Sequence, residues 1–298
     1  MSSTPAAKSN KPACSIMEAR TYRWAEAWLG GYWVVTAMIL IFGPGMSVAS
    51  VKLALMQLGT AALLYMMSTW VERHPDWAKL YWVPWIPFFV WTYSNIDTVQ
   101  KVLGQPLHDK LVQGWEQAVW GNFHPAMEWS QLWPWLFFSE FLHLCYVTYY
   151  FMMPVLLIRL LSRDRNDLAR LALCGGVSSL VASYIITIYF PVQGPRPLYP
   201  PLAVDLHGPI WTLTHAMLKK AAAAAAAFPS GHTSLAVATA CLGWRWDRKW
   251  ALLYGIWGGG VVAATVYGRF HYTVDVFAGI LVGVSCAAAV MFRDQDSQ

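Results

Sequence analysis

Charge is what this 298-residue sequence most lacks: Asp, Glu, Lys and Arg make up 12% of it, against 57% hydrophobic residues. A soluble globular domain carries about 25% charged residues. A water-facing surface cannot be built from this composition, so a soluble enzyme is excluded, together with disordered, collagenous and coiled-coil chains. Cysteine is scarce too. Cys14, Cys145, Cys174, Cys241 and Cys286 show no metal-ligand spacing, and the last four sit in apolar runs as small core residues. No cleavable leader is expected either, because residues 1–20 are polar, carry Lys8, Lys11 and Arg20, and precede the first long run without an apolar segment of their own. That first run is expected to be retained. The net charge of +5 calls for no nucleic-acid partner.

What is abundant points to a bilayer. Mean hydropathy is +0.38, and 18 Trp and 14 Tyr supply the amphipathic rings that collect at membrane interfaces. A spanning helix needs about 20 mostly apolar residues. Eight runs qualify, at 25–44, 50–71, 79–95, 135–160, 170–190, 231–245, 250–267 and 272–292. The third is short and carries Pro84 and Pro87, and the sixth is also short, so the span count lies between six and eight. The expected fold is an all-α polytopic bundle with its catalytic core in the C-terminal half. Its expected divisions are a cytoplasmic tail (1–24), N-terminal spans with an outer amphipathic segment (25–134), a membrane core (135–292) and a second cytoplasmic tail (293–298).

Sidedness follows from the basic residues. With the N-terminus inside, only Lys52, Lys101, Lys110, Arg196, Lys219, Lys220 and Arg269 fall outside, and the other 14 of the 21 Lys and Arg fall inside. This bias favours eight crossings with both termini cytoplasmic. The short tails point to a bacterial inner membrane. In the long outer segment 96–134, Leu103, Leu107, Leu111, Trp115 and Val119 step by four, which predicts one apolar helical face lying on the outer leaflet or packed on the bundle. In the second long outer segment, Lys219, Lys220 and seven alanines at 221–227 predict a short helix ending before Pro229.

Three chemistry-bearing pieces land on that outer side: Gly194-Pro195-Arg196-Pro197, Phe228-Pro229-Ser230-Gly231-His232-Thr233-Ser234 and Arg269-Phe270-His271-Tyr272-Thr273-Val274-Asp275. Their agreement in sidedness was not built into the topology. Pro229-Ser230-Gly231 opens a helix, whose free N–H groups and dipole favour an anion. Ser230 adds a hydroxyl, and Gly231 lets an oxyanion approach the backbone. His271 and Asp275 are four apart, on one helical face. A carboxylate there can accept one ring N–H and leave the other nitrogen nucleophilic. His232 is then free to protonate a leaving oxygen, and Arg196 and Arg269 to neutralise phosphate oxygens.

These residues resemble the type 2 phosphatidic acid phosphatase superfamily of membrane lipid phosphatases, over roughly residues 135–292. Its pattern is Lys-x6-Arg-Pro, Pro-Ser-Gly-His and Ser-Arg-x5-His-x3-Asp. The resemblance implies a nucleophilic His271 oriented by Asp275, with His232 as the acid and no cofactor or metal. Two positions depart from the pattern: Tyr189 stands where the family has Lys, and Thr265 where it has Arg. Arg269, two before His271, gives Arg-x-His-Tyr-x-x-Asp, a variant resembling the inositol phosphorylceramide synthase branch. The implied substrate is a lipid phosphate ester or pyrophosphate, hydrolysed at the outer leaflet, or a phospho-head group transferred to a lipid alcohol. A transporter or a lipid-binding scaffold is the non-enzymatic alternative. Glu140, His143 and Tyr146 lie three apart along the fourth run, and intramembrane ionisable residues are functional candidates by default. Lys219 and Lys220 are further candidates for holding an anionic head group.

Overall fold

The computed structural model describes residues 23–74, 83–221 and 223–296. Most of the 1–24 tail, the start of the third run and residues 297–298 lie outside the described residues. The fold is an all-α bundle. Among the described residues, six helical stretches are long and apolar enough to cross a membrane: Trp24–Phe42, Val48–Val71, Leu136–Leu161, Asn166–Tyr189, Arg248–Tyr267 and Thr273–Asp294. They match six of the eight expected runs.

The helices are α1 (Trp24–Phe42), α2 (Val48–Arg73), α3 (Trp85–Ser94), α4 (Ile96–Leu103), α5 (Asp109–Trp120), α6 (Pro125–Leu132), α7 (Leu136–Thr148), α8 (Met152–Leu161), α9 (Asn166–Tyr189), α10 (Pro209–Ala221), α11 (Gly231–Trp246), α12 (Ala251–Tyr267) and α13 (Thr273–Asp296). The described part of the third run, residues 83–95, holds a ten-residue helix, α3, and residues 79–82 of that run lie outside the described residues. Pro84 caps it, and Pro87 falls in its first turn, where the missing N–H costs nothing. The fourth run is two helices joined by a 3-10 turn at Tyr149–Phe151. Pro154 explains the break, since its ring clashes with the carbonyl four residues back, at Tyr150.

The sixth run, α11, has 16 residues, about 24 Å at 1.5 Å per residue. At its start Ser230 N–H donates to the Asp275 carbonyl, 3.0 Å. Just past its end Asp247 pairs with Arg159 and Arg163 at the opposite end of the bundle. It therefore traverses the bundle despite its length.

Two expected helices are replaced. The 96–134 segment is three short helices, α4 to α6, because Gly104 adopts φ +65° and ends α4. Leu111, Trp115 and Val119 of α5 remain on an exposed stripe, while Val112 and Glu116 on the other face are buried. The alanine run is not helical from Ala223 onward. Tertiary bonds outweigh alanine's propensity, which is a weak prior. Val192 N–H donates to the Ala225 carbonyl (3.2 Å), Ala227 N–H to the Val192 carbonyl (2.9 Å), and the Gln100 amide to the Ala225 carbonyl (2.9 Å).

Helix α9 is the buried centre of the bundle, walled by α1, α8, α11 and α13. Helices α11 and α13 meet over the G-x-x-x-G pair Gly279 and Gly283. A Cβ at Gly279 would fall 2.6 Å from the Ser230 carbonyl oxygen, and one at Gly283 2.5 Å from that of Ser234. Only glycine permits this approach, the usual device for bringing membrane helices together. It sets the two helices that begin with the sequence motifs side by side.

Candidate active site

Four chain segments build a pocket at one end of the bundle, lined by Arg196, Pro229, Gly231, His232 and His271, with Ser183, Thr187 and Gln193 beside them. The first segment leaves α9 and turns at Gly194. Its φ of +84°, and a Cβ that would fall 2.9 Å from that of Ala227, demand glycine there. Arg196 follows in an exposed turn. Its guanidinium lies 5.9 Å from the Phe270 ring centroid, and among the described residues no hydrogen bond or ion pair holds it.

Ser230, fully buried, caps α11. Its Oγ accepts from Thr233 N–H at 3.3 Å, which leaves the hydroxyl proton free to donate. The N–H groups of Gly231 and His232 belong to the first turn, where no intrahelical partner exists. The half-buried His232 ring lies between two tyrosines. It stacks on Tyr146 at 4.5 Å with an interplanar angle of 19°, and Tyr149 is 4.4 Å away. Its centroid is 6.0 Å from that of His271.

His271 Nδ1 lies 2.8 Å from the Ala227 carbonyl oxygen and 3.6 Å from Asp275 Oδ2. The carbonyl therefore takes the ring proton, and Asp275 supplies a nearby charge rather than the hydrogen bond expected from their spacing. Asp275 is fully buried. Oδ2 accepts from Tyr272 N–H at 2.8 Å, and Oδ1 has no partner among the described residues.

Arg269 is not in the pocket. It sits at φ +61° as the left-handed residue that closes α12, with Phe270 N–H donating to the Thr265 carbonyl, 2.9 Å. Its guanidinium turns away from the histidines and donates to the carbonyls of Pro200, Pro201 and Met127 and to Ser130 Oγ. Burial pulls its pKa below the usual arginine value. The expected phosphate ligand thus clamps the 195–201 turn and α6 onto the site.

The further candidates separate from the pocket. Glu140 accepts from the N–H groups of Ile210 and Trp211, both at 2.8 Å, and caps α10. His143 Nδ1 donates to the Ser139 carbonyl at 2.7 Å; its Nε2 is buried without a partner among the described residues. Its ring meets Phe270 and His215 rather than the pocket. Lys219 is exposed and does not line the pocket. The side chain of Lys220 lies outside the described residues.

Sequence reasoning missed the residues that hold these segments in place. Asp97 accepts from Ala224 N–H (2.9 Å), and Asp109 from the N–H groups of Gln193 and Gly194 (both 3.1 Å). Glu116 accepts from Thr273 and Val274 N–H and from Thr273 Oγ1. Three carboxylates from the 96–134 segment thus clasp the backbones of three segments that build the site. Their wide spacing left no pattern to read. Of the three candidates along the fourth run, Tyr146 does reach the pocket and stacks on His232, whereas the Tyr149 contact had one faint signal, the Tyr-rich stretch at 146–150.

Among comparisons with known proteins, the family model described as the PAP2 superfamily matches residues 110–289. No curated protein and no solved structure matches.

Proposed function

The chain belongs to the PAP2 superfamily, and on that premise we propose that it hydrolyses a lipid phosphate ester or pyrophosphate through a phosphohistidine. The observation that carries the reading is the bonding of His271. With its Nδ1 proton held on the Ala227 carbonyl at 2.8 Å, Nε2 keeps its lone pair on a ring that lines the same pocket as His232 and Arg196.

His271 Nε2 attacks phosphorus, and the bond from phosphorus to the leaving oxygen breaks as His232, in its imidazolium form, protonates that oxygen. Neutral His232 then takes a proton from water. The water oxygen attacks phosphorus, the P–N bond breaks, and phosphate leaves with both rings restored. Buried Asp275 offsets the positive charge that His271 gains on phosphorylation. Arg196 and the free N–H groups of Gly231 and His232 neutralise the equatorial oxygens, and Ser230 holds that helix start in place as its cap. Charge placement along the sequence puts this end of the bundle at the outer face and both termini in the cytoplasm.

Transfer to a lipid alcohol would use the same phosphohistidine. The feature in its favour is the apolar cavity adjoining His232, where a lipid acceptor could replace water. The resemblance to inositol phosphorylceramide synthases rested on Arg269, and that residue's bonds to backbone carbonyls lend transfer no support. The test is an assay of purified protein on lipid phosphates, pyrophosphates and phospho-head-group lipids, with and without ceramide or diacylglycerol. Free phosphate supports hydrolysis, a new lipid supports transfer, and neither product from folded protein refutes both.

A further inference from the structure

Two cavities meet at His232. One is the polar pocket described above. The other, about 150 Å³, is apolar and runs away from it between α3, the α7–α8 pair, α9 and α10. Tyr93, Tyr146, Tyr149, Leu180, Tyr184 and Leu218 line both, so the two form one passage with a tyrosine collar at its waist.

Each wall is one helix face. On α9 the apolar part is lined by Leu173, Gly176, Val177, Leu180 and Tyr184, at helical steps of three and four. The same face continues into the polar part as Ser183 and Thr187. From Thr187 to Leu173 this face is about 21 Å long at 1.5 Å per residue. A single leaflet of hydrocarbon is about 15 Å deep, half of about 30 Å. A passage that begins at the phosphate pocket and runs this far is longer than one leaflet is deep, and it ends near Leu157 and Leu173. It also has an open side. Val90, Tyr150 and Met217 line it and are 49%, 38% and 42% exposed, on the outside of the bundle.

We infer that this passage receives the substrate's hydrocarbon tail and admits one chain, so that the lipid phosphate this site takes is single-chained, with Tyr184 setting the width of the passage and Leu173 its depth. The inference rests on the phosphate reading of the polar pocket. The lining is apolar beyond the collar, so it matches hydrocarbon. A cavity of about 150 Å³ holds a group of benzene's size, which is enough for a segment of one chain threaded past the tyrosines and too little for two side by side. The open flank lets the chain slide in from the bilayer while its phosphate stays at His271.

The test uses monoalkyl phosphates of graded length and the diacyl lipid phosphatidate. Binding is read by calorimetry on the His271→Ala protein in detergent, and phosphate release on the wild type. Affinity is expected to rise about fourfold per added methylene, the equivalent of about 0.8 kcal/mol, and then to level off. The diacyl lipid should bind at least tenfold more weakly. In the His271→Ala background, Leu173→Trp should move the levelling point to a shorter chain, Leu157→Phe on the opposite wall should do the same, and Tyr184→Ala should narrow the single-chain preference. Melting temperatures identify any variant that fails to fold, and the second floor variant then decides. Phosphate release that is indifferent to chain length and number would overturn the passage while leaving the hydrolase reading standing. Length-dependent binding without phosphate release by the wild type would do the reverse.

Discussion

Glu116, on α5, caps the helix that carries Asp275: its Oε2 accepts from Thr273 Oγ1 at 2.8 Å, and the residue is 5% exposed. The cap also takes the N–H groups of Thr273 and Val274, two of the donors a helix start leaves unpaired. Glu116→Ala should lower stability by about 1–3 kcal/mol and cut turnover, because it frees the first turn beside His271. Glu116→Gln keeps one acceptor oxygen and should recover part of both. Thermal unfolding and turnover on the three proteins check this.

Arg196 and Arg269 should separate cleanly. Arg196→Ala removes a free pocket cation and is expected to lower kcat/KM by about 10²–10³ with the melting temperature unchanged. Arg269→Ala removes the clamp on Pro201 and Met127 and should lower melting temperature and activity together. An Arg269→Ala protein of full stability with weakened phosphate binding would return that residue to the pocket.

At the far end of the bundle Asp247 is fully buried between Arg159 and Arg163. Burial alone would raise its pKa, but its hydrogen bonds to the two guanidinium groups outweigh that and hold it below the usual carboxylate value. A depressed pKa in the folded state means that the stabilisation is fully present above the ordinary value of about 3.9 and is lost as pH falls through the lower folded value. Asp247→Asn should cost about 1.5–3 kcal/mol at neutral pH and flatten the acid side of the stability profile. An unchanged acid limb would contradict the assignment.

Much of this was legible in the sequence because apolar length and motif chemistry are local. Six runs became membrane-length helices within a few residues, and His232 and His271 lie across one pocket from each other. The departures came from residues whose partners are distant in sequence. Alanine propensity could not anticipate that Val192 and Gln100 would draw out Ala225 and Ala227. The pairing of His271 with Asp275 was inferred from helical spacing, yet His271 lies before the first residue of α13 and turns its Nδ1 to Ala227. Arg269 was read by its nearness to His271 in the chain, whereas its left-handed backbone points the side chain to the other side of the turn.

His271 remains the centre of the account, and trapping its phosphorylated form tests it most directly. Purified wild-type protein would be mixed with a lipid phosphate labelled at phosphorus, quenched in alkali during turnover and mapped by peptide mass spectrometry. The expected result is an acid-labile, alkali-stable phosphoryl group on His271, absent from His271→Ala and longer-lived in His232→Ala. Turnover by wild-type protein with the label on another residue, or undiminished turnover by His271→Ala, would contradict it.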